Sequence, residues 1–399
     1  MSGTTSSLAS LSTRITKGTT PTTLGYAHSD SGIPFLRVQN IFGGEVNFAE
    51  DTLFIGPDTH AALRRSQIQT GDVLVTIAGT IGRTGVVPPG APAMNCNQAV
   101  AIVRPTDQIE RTYLRHWLES QDARGQMLGS TVTGTISNLS LTQLGELRVP
   151  LPSLAEQRRI AAILDQADAL RAKRREALAQ LDSLTQSIFD EMFGDPLLNP
   201  KCWPVGSLGS MSSKFSDGPF GSNLKSEHYT EQGVRIVRLQ NIGVGEFVDK
   251  DRAYISQVHF QKLAKHQCRP GDILVATMGD PNLRACILPE WLPMALNKAD
   301  CVQIRAEEGT AFSAYICSLI NHPSTLLLAK DLMHGQTRVR INMGSLRALH
   351  VPIPPIGLQR EFAVRMAQLA RLRTAHLTSA AELDALFTSL QHRAFRGEL

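Results

Sequence analysis

Two long stretches of the chain repeat apolar residues at steps of three and four. They cover 154–193 and 356–395, contain no proline and almost no glycine. This spacing puts the apolar side chains on one face and predicts two amphipathic helices, each roughly 55–60 Å long at ~1.5 Å per residue. The residues expected to pack the helices together are Ile160, Leu164, Leu181, Ile188, Phe362, Met366, Leu383 and Leu390.

Outside these stretches the pattern changes to short β-branched runs separated by Gly, Pro and Asn. Examples are FLRVQNI, DVLVTIAG and AVAIVRP in the first 150 residues, and RIVRLQNI and DILVATMG further on. Runs of this kind predict the strands of a mixed, β-rich domain. Short helices are expected around Arg111–Gly125 and Ala311–Asn321.

The same motifs occur twice in the same order, at a distance that drifts from 200 to 202 residues. A repeat of this length is too long for a solenoid and indicates a tandem duplication of a globular domain. Three pairs of blocks show it best: Gly32–Ile41 and Gly233–Ile242, Gly71–Val75 and Gly271–Val275, and Val149–Arg158 and Val351–Arg360.

These patterns predict an α/β (α+β) fold with pseudo-two-fold symmetry. Two globular, β-rich domains are separated by two long helices, and each helix needs a partner for its apolar stripe. An antiparallel coiled coil of the two helices is the economical solution. We therefore expect a first domain at 1–150, a first helix at 151–195, a second domain at 196–353 and a second helix at 354–399.

Polar residues interrupt both helical stripes at equivalent places. Arg171 and Arg174 do so in the first helix, and Arg373 and His376 in the second, 202 residues later. One interpretation is a solvated face. The other is a polar layer that fixes the register of the two helices, as a polar residue in a coiled-coil seam can.

Composition restricts the class of protein more than the charge does. Hydrophobic residues make up 42% of the 399 residues and charged residues 19%, as in ordinary globular proteins. No apolar run approaches the ~18–20 residues of a membrane span, and the start of the chain lacks the order of a secretory signal. Six cysteines without CxxC spacing are expected to be reduced thiols. We expect a cytoplasmic protein without membrane contact.

The net charge of +4 is too small to indicate a nucleic-acid binder by itself. Residues 1–150 hold 11 basic and 11 acidic side chains, and residues 194–353 hold 17 and 14. The chain also lacks the GxxxxGK[ST], GxGxxG, HExxH and GxSxG motifs. We therefore expect no catalytic residues and no metal site in this chain.

The duplicated blocks and the domain–helix–domain–helix order resemble the specificity subunit of type I DNA restriction–modification systems. The resemblance implies two target recognition domains, each reading one half of a bipartite, asymmetric site in double-stranded DNA. It implies that the helices set the spacing and dock two modification (methyltransferase) subunits, and that restriction subunits join the full complex. The subunit itself is non-catalytic by this resemblance, so S-adenosylmethionine, ATP and Mg are expected in the partner subunits and no cofactor in this chain.

Candidate DNA contacts follow from side-chain chemistry. Arg reads guanine and Asn or Gln reads adenine, whereas Lys, Ser and Thr mostly bind phosphates. The RVQN and RLQN blocks recur in both halves, which favours a scaffold or phosphate-positioning role over base contact. Base reading is better sought where the halves diverge. The candidates are Lys17, Thr19, Arg37, Gln39, Asn40, Arg83, Thr131, Thr133, Thr135, Lys225, Arg238, Gln240, Asn241, Arg284, Arg338 and Arg340.

Two other classes of function compete with DNA recognition. A protein-binding adaptor with duplicated domains would share the architecture but lack salt-dependent binding to DNA. A stand-alone enzyme with an unfamiliar site would show activity in the purified chain.

Overall fold

The computed structural model describes residues 4–129, 138–279, 281–335 and 339–399. The chain divides into two compact units. Unit 1 comprises Met1–Arg175 with Thr378–Leu399, and unit 2 comprises Glu176–Leu377. The four segments predicted from the sequence treat the helices separately, and their limits stay a prediction.

Unit 1 contains two four-stranded sheets. One is antiparallel with the order β2-β11-β8-β9, and the other is mixed with the order β6-β3-β10-β7, in which β3 and β10 are parallel. A further antiparallel pair, β1 with β12, joins the two ends of the domain. The strands are β1 Thr5–Ser7, β2 Ser12–Lys17, β3 Ile33–Leu36, β4 Ile41–Phe42, β5 Glu45–Val46, β6 Leu53–Ile55, β7 Gln67–Ile68, β8 Val73–Thr76, β9 Thr84–Val86, β10 Met94–Cys96, β11 Val100–Pro105 and β12 Arg148–Pro150.

The helices of unit 1 are α1 Pro57–Ala62, α2 Arg111–Leu118, α3 Gln121–Gly129, α4 Leu141–Glu146 and the first part of α5 Leu154–Phe193. Helices α2 to α5 pack against the antiparallel sheet, whereas α1 lies beside the mixed sheet, where His60 contacts Asn95. The helix expected around Arg111–Gly125 is thus two helices. The chain turns at Ser120, whose hydroxyl accepts a hydrogen bond from the Ala123 amide at 3.2 Å, as an N-cap does.

Unit 2 repeats this plan. Its sheets have the orders β14-β22-β19-β20 and β15-β17-β16-β21-β18, and β13 pairs with β25. The strands are β13 Val205–Ser207, β14 Ser212–Ser216, β15 Tyr229–Thr230, β16 Val234–Val237, β17 Ala253–Ile255, β18 Gln267–Cys268, β19 Ile273–Ala276, β20 Arg284–Ile287, β21 Ala295–Asn297, β22 Cys301–Ala306, β23 Met333–His334, β24 Arg340–Ile341 and β25 His350–Pro352. The helices are α6 Gln257–Lys262, α7 Ser313–Asn321, α8 Pro323–Leu328, α9 Met343–Ala348 and α10 Ile356–Arg396.

The predicted fold class is confirmed, because two β-rich domains are accompanied by two long helices that pack together. In unit 1, Phe387 and Phe395 of α10 lie in one core with Ile160 and Leu164 of α5. In unit 2, Phe189 and Phe193 of α5 contact the ring of Phe362 of α10 at centroid distances of 5.8 and 5.2 Å. The later part of each helix therefore packs against the earlier part of the other, which makes the pair antiparallel.

The other residues predicted to pack the helices lie along the same pair. Leu390 packs against the core of unit 1, whereas Ile188 and Met366 pack against the core of unit 2. Leu181 and Leu383 are half-buried.

A glutamine anchors the start of each long helix. Gln157 is fully buried, accepts a hydrogen bond from the Glu110 amide at 2.8 Å and donates to the Pro152 carbonyl at 2.9 Å. Gln359 accepts from the Phe312 amide at 3.1 Å in the same way. Each glutamine ties the helix to the loop before α2 or α7, which explains why the VP[LI]P-x-x-x-x-QR block occurs in both halves.

Candidate nucleic-acid interface

The repeated RVQN and RLQN blocks build the same turn in both units. The Asn40 side chain is 1% exposed, and its Oδ1 accepts a hydrogen bond from the Arg37 amide at 2.8 Å. Asn241 is fully buried and accepts from the Arg238 amide at 3.0 Å. A buried amide has no surface to offer to a base edge, so both asparagines cap a backbone turn. This corrects their place among the candidate DNA contacts.

An aspartate holds the other polar residues of this block. The Gln39 amide donates to Asp51 at 2.7 Å, and the Arg37 guanidinium lies 3.4 Å from the same carboxylate. Asp251 takes this place in unit 2, where Gln240 donates to it at 2.6 Å.

The pairing of Gln39 with Asp51, and of Gln240 with Asp251, was not predicted from the sequence. The hydrogen bond from Gln240 and the charge of Arg238, 2.8 Å away, lower the pKa of Asp251. Asp51 and Asp251 both adopt a positive φ, of 45° and 49°, at a turn 11 or 12 residues beyond the glutamine. The recurrence of an acid at this distance in both halves was the available signal.

Arg83 and Arg284 follow equivalent strands but differ in their surroundings. The Arg284 guanidinium donates to the carbonyls of Ile242 at 2.7 Å, Pro281 at 2.9 Å and Leu239 at 3.0 Å, so it holds the segment 239–242 against the turn before β20. The Arg83 side chain is exposed and lines a cleft. Of the two candidates, Arg83 is the one available to a ligand.

The remaining described candidates lie on loops and strand ends. Lys17, Lys225 and Arg340 are exposed, and Lys225 lies 3.5 Å from the carboxylate of Glu227. Thr19 is half-buried, and its amide donates to the Cys96 carbonyl at 3.2 Å. The candidates Thr131, Thr133, Thr135 and Arg338 lie outside the described residues.

Gly18 and Gly218 determine how closely these loops approach the sheets. A Cβ at Gly18 would lie 1.9 Å from the Cys96 carbonyl oxygen, and one at Gly218 would lie 2.2 Å from the Lys298 carbonyl carbon. Only glycine fits at such distances. The same close approach in both units makes this loop part of the scaffold, so side chains beyond it are left for contacts that differ between the halves.

A cleft of about 740 Å³ opens in unit 1 beside the turn that carries Arg83. The turn 79–83, helix α3 and the part of helix α5 from Asp168 to Arg175 form its walls. Its charged lining residues are Arg83, Glu119, Arg124, Asp168, Arg171 and Arg175.

A buried ionic cluster adjoins this cleft, because Arg115 lies 3.6 Å from both Glu119 and Asp168 of its lining. Arg115 and His116 of α2 are 5% and 0% exposed, and both approach the Asp165 carboxylate of α5 at 2.8 Å. Partial burial raises the pKa of Asp165, but the hydrogen bonds and charges of His116 and Arg115 outweigh it, so the pKa is lowered. The carboxylate is therefore held in its charged form and fixes α2 against α5.

The described residues offer little for bond chemistry. Among them, no group of three or more His, Cys, Asp or Glu side chains is arranged to hold a metal ion. Burial raises the pKa of the Cys301 and Cys317 thiols to about 12, so these thiols are poor nucleophiles. In the part of the chain that the structure covers, no helix is long and apolar enough to cross a membrane.

Comparisons with known proteins give this arrangement a class. Residues 14–180 match the family model "Type I restriction modification DNA specificity domain". The chain is 30% identical over 214 residues to the specificity subunit of the type I restriction enzyme EcoBI of Escherichia coli, an alignment that covers 52% of this chain and 44% of the relative. It is 22% identical over 395 residues to the StySPI specificity subunit of Salmonella potsdam, which covers 93% of this chain and 83% of the relative.

A solved structure shows the same fold over the full length. It was described as "Structural basis underlying complex assembly and conformational transition of the type I R-M system", and it matches with a TM-score of 0.62 and 20% identity over 100% of this chain and 99% of that one.

The first half of the chain is thus similar to a type I DNA specificity domain, and the duplicated fold extends over the rest. More particularly, the chain is similar to specificity subunits of type I restriction enzymes, the class that the sequence motifs resemble. These relatives are named specificity subunits, in agreement with the prediction that the chain is not itself an enzyme.

Proposed function

We propose that this chain selects the DNA site of a type I restriction–modification complex, with each β-rich domain reading one half of a bipartite, asymmetric sequence. The observation that carries the proposal is the duplication. The turns around Asn40 and Asn241 are alike in both units, whereas Arg83 and Arg284 have different surroundings. A common scaffold with different surface contacts suits two domains that read different half-sites.

The two helices set the distance between the half-sites in this proposal, and their outer faces dock two methyltransferase subunits. Exposed apolar side chains on the helices support a docking role, since such residues are costly in water. They include Leu170 and Leu184 of α5 and Val364, Leu372 and Leu386 of α10.

The chemistry belongs to the partner subunits. The modification subunits use S-adenosylmethionine, and the restriction subunits use ATP and Mg. The cytoplasmic location predicted from the sequence follows from this role. This chain contributes the choice of site.

An exchange of domains tests the proposal. Residues 196–353 are replaced by the matching domain of a relative that keeps aromatic residues at the positions of Phe189, Phe193 and Phe362, because these rings complete the core of unit 2. The variant is expressed with its methyltransferase subunits in a host without other methylation, and the methylated sites are sequenced. We expect one half of the motif to change and the other to persist.

The reciprocal exchange of residues 1–150 is the matched control, and it should alter only the other half. A change of both halves in either exchange would show that the two domains read jointly. Methylation without any sequence preference in the unaltered complex would contradict DNA recognition by this chain.

A further inference from the structure

The charges of the unit 1 cleft that have no partner among the described residues are positive. Its two acids already have partners. Glu119 accepts the hydroxyl hydrogen bond of Thr84 at 2.7 Å and lies 3.6 Å from Arg115, and Asp168 pairs with Arg171 at 2.6 Å. These pairs leave Arg83 of the turn 79–83 and Arg124 of α3 to define the free charge of the cleft.

Arg83 and Arg124 have no ion-pair partner among the residues that the structure describes, and both are exposed. The Arg175 side chain is 62% exposed, and its guanidinium lies 3.4 Å from the Asp384 carboxylate. An ion pair that is this exposed contributes little, so Arg175 is available to a ligand. Guanidinium groups bind phosphate in a bidentate manner and are weakly hydrated, so three of them around one cleft form a site for phosphate groups.

The duplication supplies an internal comparison. Tyr113 and Tyr315 both donate to a proline carbonyl, at 3.0 and 2.7 Å, and align the two units at a distance of 202 residues. At this distance Leu326 takes the place of Arg124, and Leu377 takes the place of Arg175.

In unit 2 the counterparts of Arg83 and Arg171 are Arg284 and Arg373, and both have partners within the protein. Arg284 donates to backbone carbonyls, and Arg373 pairs with Glu246 at 2.8 Å and Asp182 at 3.0 Å. The scaffold therefore does not require a free arginine at the position of Arg83, nor any arginine at the positions of Arg124 and Arg175. Their presence in unit 1 calls for a ligand.

We infer that the unit 1 cleft holds backbone phosphates of the bound DNA through Arg83 and Arg124, with Arg175 at its helical wall. The inference rests on the proposed function. A volume of about 740 Å³ exceeds a single phosphate and suits a short run of backbone. Phosphate contacts give affinity without sequence information, so unit 1 contributes more salt-dependent affinity than unit 2, while both units contribute to specificity.

The test removes the two free charges. Arg83→Gln with Arg124→Gln is prepared in the complex with the methyltransferase subunits, and binding to duplexes with and without the methylated motif is measured over a salt series. The slope of log K against log salt is negative, and each lost phosphate contact makes it less steep by about 0.9. We therefore expect the slope of the double variant to be less steep by about 2. Affinity should fall about tenfold or more on both duplexes, and their ratio should stay unchanged.

Two variants serve as controls. Arg148→Gln with Arg158→Gln removes two other exposed arginines of unit 1 and should leave the slope unchanged. Arg83→Lys with Arg124→Lys keeps the charge and should retain most of the slope. Equal melting temperatures show that the variants are folded.

The outcomes separate the inference from the proposed function. An unchanged slope in a complex that still prefers its motif would overturn the inference alone. Loss of motif preference with an unchanged slope would assign base reading to these arginines and also overturn it. ATP binding by the DNA-free complex that disappears in the glutamine variant would assign the cleft to a free nucleotide. Absence of motif preference in the unaltered complex would instead contradict the proposed function.

Discussion

At the scale of single residues, the two buried glutamines show how much of a fold one side chain can hold. Gln359 is fully buried, accepts from the Phe312 amide and donates to the Pro354 carbonyl at 2.8 Å. Its amide thus closes the turn before the long helix and fixes the loop that begins α7. A side chain of equal length without polar atoms would fill the space but leave these backbone groups unpaired.

We expect Gln359→Leu to lower the free energy of unfolding by about 1–3 kcal/mol, the usual cost of buried polar groups without partners. Urea denaturation measures the change. Gln368→Leu, at an exposed position of the same helix, is the matched control and should change stability by less than about 0.5 kcal/mol. Equal effects of the two substitutions would show that the hydrogen bonds of Gln359 contribute nothing.

Residue-level predictability depended on how local the contacts are. The alternation and spacing of apolar residues identified Ile160, Leu164 and Phe362, which lie in the cores. The same approach did not find Asp51, because its contact with Gln39 depends on a turn whose geometry no local pattern specifies. The cleft was also missed, since its walls come from three separated segments.

At the scale of elements, two of the four polar interruptions of the long helices, Arg171 and Arg373, form reciprocal ion pairs. Arg171 of α5 donates to Asp384 of α10 at 2.6 Å in unit 1. Arg373 of α10 donates to Asp182 of α5 at 3.0 Å in unit 2. The partners are related by the same distance of 202 residues in both cases. This arrangement favours the register-fixing interpretation over a merely solvated face, because each pair forms only in one alignment of the helices.

A double-mutant cycle on Arg373→Ala and Asp182→Ala should give a coupling energy of about 0.2–1 kcal/mol, since both side chains are partly exposed. The coupling should shrink in 1 M salt, which screens exposed charges. A cycle of Arg373→Ala with Glu361→Ala, about 18 Å away along the same helix at ~1.5 Å per residue, should be additive. Additivity in the first cycle would show that Arg373 and Asp182 do not interact and that Arg373 is merely solvated.

Element bounds followed the sequence where the pattern was long. The predicted helices 154–193 and 356–395 agree with Leu154–Phe193 and Ile356–Arg396. The shorter pattern around Arg111–Gly125 concealed the turn at Ser120, because a single hydroxyl cap interrupts a stretch that is otherwise helical in character. In a long periodic stretch, one capping residue changes little of the predicted helix, whereas in a short stretch it can divide the helix in two.

At the scale of the whole molecule, the helices are proposed to act as a ruler. Insertion of one heptad after Ala177 and another after Ser379 keeps the antiparallel register, because the two positions lie at the same level of the helix pair, between the reciprocal ion pairs formed by Arg171 and Arg373. Seven residues add about 10 Å and rotate the far end by about 20°. That length equals roughly three base pairs at ~3.4 Å each, although three pairs also turn the DNA by about 100°.

We therefore expect unchanged half-sites, a spacer longer by about one to three base pairs, and weaker binding, because the DNA or the helices must absorb the turn. Sequencing of the methylated sites measures the spacer. Insertion of seven residues after Gly90, in an exposed loop of unit 1, should leave the spacer as it is. An unaltered spacer in an active heptad variant would show that the helices do not set the distance.

The end of α10 completes the core of unit 1, and this determines the order in which the two cores can form during synthesis. Unit 2 is one continuous stretch, Glu176–Leu377, and its core can close as soon as that stretch has left the ribosome. Unit 1 is begun first, but Phe387, Ala394 and Phe395 of its core are made last. At ~5–20 residues per second, the first domain waits for the rest of the chain before its apolar surface is covered. The half that is translated first is thus the half whose core is completed last, and its apolar surface stays exposed to water for longer during synthesis.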